Sequence, residues 1–249
     1  TVTPDSLAAY RELGVNRASF GVQTFNDRDL KLLARGHDAN DARETFRLLR
    51  EAGFTNISFD LIAGLPGQTL DDWERNLDEA LAMQPEHLSL YLLEIHEGTP
   101  IAEQVRSGRR PVPDEDTAAE MYQAMLDKTS AAGYEQYEIS NFAKPGYESR
   151  HNSKYWRLDP VYGFGVSAHS FDGFQRYANE RDTAAYVKRI EEFSTAEIMR
   201  ERIDAASEFI FLGMRLNEGI DLIRYQERFG VGIQAKYETE LRDLLEKGL

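Results

Sequence analysis

Short apolar runs alternate, through the first half of the chain, with stretches in which apolar residues recur every third or fourth position. Residues 17–22 (RASFGV), 57–62 (ISFDLI) and 87–93 (HLSLYLL) have the length and β-branched or aromatic content of strands, and a fourth strand is predicted to begin at 137–139. Helices are predicted between them: near 27–34, over 40–52 with Gly53 as its stop, from Thr69 onward, and over 114–132 with Gly133 as its stop. Thr69 and Asp72 form a capping-box pattern ahead of Leu70, Trp73, Leu77 and Leu81 on one helical face. Strands alternating with amphipathic helices predict an α/β fold with a parallel sheet. Three to four such units are too few to close an eight-stranded barrel, so the expectation is a partial, truncated β/α barrel lacking its first units.

From about Asn141 the rhythm changes to aromatic-rich turns and a glycine-punctuated stretch, Tyr162-Gly163-Phe164-Gly165-Val166. Helices are predicted over 182–193, 195–216, 220–229 and 233–247. The expected division is a barrel core at 1–181 and a small, mainly helical C-terminal module at 182–249, the start of a helix-turn-helix or winged-helix-like unit.

Composition narrows the function. With 41% hydrophobic residues in 249, the chain buries a full core. The formal net charge of -14 argues against a nucleic-acid partner, whose phosphates call for Lys and Arg. No run of about 18 apolar residues and no basic-then-apolar leader is present, so no integral membrane segment is expected and the cytoplasm is the expected compartment. The chain holds no cysteine, hence no thiolate for zinc or an iron–sulfur cluster. It opens on Thr1 rather than Met and ends at Leu249 directly after a helical pattern, so both ends read as cut.

Ligands of parallel β/α proteins sit at the C-terminal ends of strands. Gln23, Asp60 and Glu94 fall there. Asp60 is the sharpest of them, because a carboxylate within ISFDLI is costly to bury without a partner. A ribose diol, an amino group or an arginine such as Arg35 would serve, and a purely structural Arg–Asp pair stands beside those readings. Gln23 also reads as a loop cap, and Arg35 as a helix-end arginine. The loop Gly64-Leu65-Pro66-Gly67 lacks the Lys-Ser/Thr ending of a phosphate loop and reads as a tight turn. His37, His87 and His96 show no metal-ligand spacing and read as ordinary polar residues.

Three segments in order, residues 19–25 (SFGVQTF), 60–68 (DLIAGLPGQ) and 165–170 (GVSAHS), resemble the radical S-adenosylmethionine (SAM) family of oxygen-independent coproporphyrinogen III oxidases. The resemblance runs through nearly the whole chain. It implies a radical SAM β/α barrel in which Gln23, Arg35 and Asp60 contact SAM, Arg35 as counter-ion to the SAM carboxylate. Glu94 and His169 stand at positions that line the SAM site in the oxidase branch, though with other residues there. The family's C-x-x-x-C-x-x-C run, which holds a [4Fe–4S] cluster, would lie before Thr1.

Residues 150–157 (RHNSKYWR) contain H-N-x-x-Y-W, which resembles the haem-ligand signature of the family's haem-chaperone branch. His151 offers an imidazole nitrogen to haem iron, Tyr155 and Trp156 flat apolar surface, and Arg150, Lys154 or Arg157 a charge for propionates. A loop histidine bonded beside Asn152, with its aromatics packed inward, explains the same residues. The resemblance implies a haem chaperone that binds SAM and haem and passes haem to an acceptor protein. The alternative it implies is the oxidase itself, which decarboxylates substrate propionates and for which this stretch, without cluster cysteines, would be inactive.

Overall fold

Alternation in the strand segments decides which side of the sheet the helices cover. The structure is a computed structural model that describes residues 2–248; Thr1 and Leu249, where the resemblance begins and the chain ends, lie outside the described residues. The chain divides into two compact units, residues 1–148 and 149–249.

The first unit runs α1 (Pro4–Glu12), β1 (Ala18–Gln23), α2 (Asp27–Leu32), α3 (Ala39–Glu51), β2 (Ile57–Ala63), α4 (Leu70–Ala82), β3 (His87–Leu92), α5 (Pro100–Arg106), α6 (Glu115–Ala131), β4 (Glu135–Glu138) and β5 (Asn141–Ala143). Its five-stranded sheet has the order β1-β2-β3-β5-β4. β1, β2 and β3 pair in parallel, as their helical crossovers require. The fourth strand departs from the expected parallel pattern. Residues 135–143 form a hairpin whose β5 pairs antiparallel to both β3 and β4. Its strands are separated only by Ile139 and Ser140, a connection too short for a parallel crossover. The sheet is open, with β1 and β4 at its edges.

Ile57, Phe59, Leu61 and Ala63 point to the helical side, where they join Phe46 and Leu49 of α3, Trp73 and Leu77 of α4, and Met121 and Met125 of α6 in one core. Phe59 is its centre, with ring centroids 5.9, 6.3 and 6.1 Å from Phe20, Phe25 and Phe46. The Trp73 indole keeps its polar handle by donating to the Met121 carbonyl at 2.9 Å. The predicted Thr69–Asp72 capping box is present, and a second, between Asp38 and Asp41, starts α3.

The second unit runs α7 (Arg150–Trp156), β6 (His169–Phe171), β7 (Gln175–Asn179), α8 (Thr183–Phe193), β8 (Glu197–Arg202), α9 (Ala205–Gly213), α10 (Leu222–Phe229), α11 (Ile233–Lys236) and α12 (Glu238–Glu246). β6, β7 and β8 form an antiparallel sheet, so this part is less purely helical than the sequence suggests. The helix expected over 195–216 is instead β8 followed by α9. Glu, Met and Arg favour helix intrinsically, but pairing with β7 and the stacking of Arg200 on Tyr177, 4.3 Å to its ring centroid, override that preference. The helix expected over 233–247 is interrupted at Tyr237, whose φ of -118° and ψ of 33° leave the helical region. β8 pairs with β7 across position 181, and the two compact units divide between residues 148 and 149. Phe209, Tyr225 and Phe229 form the aromatic centre here, with centroid distances of 5.8, 5.8 and 4.8 Å. No helix among the described residues is long and apolar enough to cross a membrane.

Candidate functional site

Opposite the helix-covered face, β2 and β3 present Ser58, Asp60, His87 and Ser89, the polar members of two otherwise apolar strands. Register places them in rows: Ser58 beside His87, and Asp60 between Gly21 and Ser89. The row continues through Asn141 of β5 to Glu138 of β4.

Asp60 is half-buried, and burial pushes its carboxyl above the usual range; a hydrogen bond with Ser89 and the positive fields of Arg17 and Arg35 oppose that push. The bland alternative of a direct Arg–Asp pair is therefore not what forms: both arginines act on Asp60 through their fields. Gln23 ends β1 at a bulge with φ of 71°, a left-handed conformation rare for a residue with a side chain. This conformation turns the Gln23 amide back over Gly21, next in register to Asp60. A Cβ at position 21 would collide with that amide, so glycine is what leaves room for the amide in this place.

The structure thus brings Gln23, Asp60 and Arg35 of the expected set together. Glu94 is exposed in the loop after β3, its carboxylate 3.6 Å from the imidazole of His96. His169 belongs to the second unit, where it opens β6, is exposed, and packs its carbonyl against Gly163. Chemically, Asp60 suits hydroxyls or an ammonium, Gln23 both donates and accepts, and the two arginines suit an anionic end.

Sequence reasoning passed over Arg17, Ser58, His87, Ser89 and Tyr137. His87 is no ordinary surface polar residue: it is 1% exposed, with Nδ1 2.8 Å from Ser58 Oγ and Nε2 2.8 Å from the Tyr137 hydroxyl. Burial, with Arg17's positive field second, lowers its pKa to about 3, so the ring is neutral. The signal for Ser58 and His87 was present in the alternation of ISFDLI and HLSLYL. Tyr137 gave none, because it stands at the bulge between Gln136 and Glu138.

In the second unit, Ser149 caps α7, whose seven residues are RHNSKYW. His151 and Tyr155, one turn apart, are both exposed and meet edge to face at 5.1 Å between centroids. Trp156 turns the other way: Arg215 covers one face of its ring at 4.4 Å, and its Nε1 is buried without a hydrogen-bond partner among the described residues. Its free aromatic surface is correspondingly smaller than the sequence suggests.

Comparison with known proteins gives two family matches, the Radical SAM superfamily over residues 1–80 and the HemN C-terminal domain over residues 201–249. The heme chaperone HemW of Bacillus subtilis (strain 168) is 40% identical over 256 aligned residues, covering 99% of this chain and 67% of that protein. HemW of Lactococcus lactis subsp. lactis is 33% identical, covering 100% of this chain and 66% of that protein. The chain spans about two thirds of the length of these relatives. Among solved structures, coproporphyrinogen III oxidase (HemN) from Escherichia coli, described as a radical SAM enzyme, superposes with a TM-score of 0.81 at 24% identity, covering 100% of this chain and 61% of that one. That likeness concerns the fold.

Proposed function

The chain belongs to the radical SAM family that contains the heme chaperones HemW, and from this membership we propose that the protein binds haem and SAM and delivers haem to an acceptor protein. The observation that carries the haem reading is the exposed His151–Tyr155 pair on α7. An imidazole presented on a helix, with an aromatic ring one turn away, is a residue pair that would hold haem iron and pack beside the porphyrin. Tyr155 has the exposed surface for that contact, and Trp156 supports the helix from behind through Arg215.

The residues of the first unit fit SAM. A carboxylate whose burial is incompletely compensated, an amide aimed beside it and two nearby cations match a ligand that carries ribose hydroxyls, an amino group and a carboxylate. Asp60 and Gln23 would hold the hydroxyl or ammonium groups, and Arg35 the carboxylate. Glu94 and His169 contribute at most at the margin, since both are exposed. SAM supplies a source of a carbon-centred radical when it meets a reduced [4Fe–4S] cluster. The 249 residues offer no thiolate for such a cluster.

The native protein, loaded with haem, should transfer it to an apo-haem protein in a spectroscopic transfer assay. The same protein, given coproporphyrinogen III, SAM and a reductant, should release no carbon dioxide. Carbon dioxide release would replace the chaperone reading with the oxidase reading.

A further inference from the structure

Among the buried residues of α4, Trp73, Asn76, Leu77 and Ala80, Asn76 is the polar one. Asparagine is a poor helix former, and its amide is costly to bury unless both ends are hydrogen-bonded, so its place on this face calls for a partner. The partner is the turn after β1. Asn76 Oδ1 accepts from the Phe25 N–H at 2.6 Å and from the Thr24 hydroxyl at 3.1 Å, while Nδ2 donates to the Asp72 carbonyl of its own helix at 2.8 Å. The bond to Asp72 fixes which way the amide faces, since a carbonyl can meet only its NH2 end. Thr24 Oγ1 in turn accepts from the Asn26 N–H at 3.1 Å. Thr24 is fully buried and Asn76 is 4% exposed, so these bonds are not shared with bulk water.

The consequence falls on Gln23. Its left-handed backbone, with φ of 71°, is one that a residue with a side chain keeps only when its surroundings hold it. On the strand side, the Val22 carbonyl, in the peptide just before Gln23, accepts from His37 Nε2 at 3.3 Å. β1 ends at Gln23, so on the turn side the fixed points are the Thr24 hydroxyl and the Phe25 N–H on Asn76. Held from both sides, Gln23 turns its amide back over Gly21, beside Asp60.

Resting on the reading that Gln23 contacts SAM, we propose that Asn76 and Thr24 are positioning residues: acting from the helix-covered side of the sheet, they hold the turn that aims the Gln23 amide at the ligand. The same turn also seats the Phe25 ring 6.3 Å from Phe59 in the core. A role confined to that packing would cost stability and leave the aim of Gln23 aside, and the two roles separate by experiment.

The test is a double-mutant cycle on SAM affinity, measured by equilibrium dialysis with the native protein after anaerobic iron–sulfur reconstitution. Gln23→Ala should bind about tenfold more weakly, the loss of about one hydrogen bond. Asn76→Leu and Thr24→Val keep the shape of the native side chains without the acceptor or the hydroxyl. Each should weaken binding about fivefold in the wild-type background and by less than about twofold in Gln23→Ala, because the residue through which they act is gone. Thr24→Ser, which keeps the hydroxyl and loses a buried methyl, should bind within about twofold of wild type although its urea midpoint falls. Should Asn76→Leu fail to fold, the Thr24 pair carries the comparison. Equal weakening in both backgrounds, weakening in neither, or a loss in Thr24→Ser as large as in Thr24→Val overturns the proposal while Gln23 keeps its place in the site. If Gln23→Ala binds SAM as wild type does, the reading of Gln23 as a SAM contact falls, and the proposal with it.

Discussion

Asp60 works against the stability of the fold that presents it. Its carboxyl is raised by burial, so the folded state holds the proton more tightly than the unfolded state does. For such a group the stabilising contribution is complete below the unfolded pKa and is lost as pH rises through the folded pKa. At neutral pH the ionised carboxylate is therefore a net cost, and Asp60→Asn should raise the unfolding free energy by about 1 kcal/mol while abolishing SAM binding. Urea titration of both proteins at pH 7 and near pH 4 checks this: the gain should vanish at the lower pH. His87 has the opposite sign. Its folded pKa, about 3, lies below its unfolded value near 6.5, so its contribution is present above pH 6.5 and is lost as pH falls from there toward 3. Relative to a His87→Gln variant, wild type should lose about 1.4 kcal/mol per pH unit across that window. Parallel losses in the two proteins would mean that His87 protonates freely in the fold.

At the level of elements, β1 shows how a strand end can aim a polar side chain. The bulge between Gly21 and Gln23 and the left-handed conformation of Gln23 turn its amide over the glycine. Gly21→Ala should displace this flexible side chain rather than backbone, so SAM affinity should fall as far as in Gln23→Ala. Stability should change by about 1 kcal/mol or less. Affinity unchanged in Gly21→Ala would remove Gln23 from the site. The parallel strands and the capped helices were legible in the sequence because each rests on a local rule, period or cap, and Asp60 stood out as a costly carboxylate; Gln23 and Arg35 were singled out through the family resemblance. What escaped depends on partners distant in sequence. β8 is helix-prone until β7 pairs with it, and the hairpin of β4 and β5 borrows its direction from β3. Tyr137 meets His87 only because Ala143 is small and the edge strand bulges. Trp156 looked like a free aromatic face because Arg215, which covers it, lies on the far side of β8 and α9 in the sequence.

For the whole molecule, the two candidate binding groups belong to different compact units, Asp60 and its neighbours to residues 1–148 and His151 with Tyr155 to residues 149–249. The two proposed activities should therefore be separable by mutation. Asp60→Asn should leave haem affinity unchanged, and His151→Ala should leave SAM affinity unchanged. Membership of the family of HemW heme chaperones is carried by the sequence relatives, whereas the oxidase shares the fold at 24% identity. A haem carrier that uses His151 as iron ligand is tested by titrating haem into the native protein and into His151→Ala while following the Soret band. Wild type should show a shifted Soret band that is weakened or displaced in the variant, with SAM binding retained; superimposable titrations would remove His151 from the haem site.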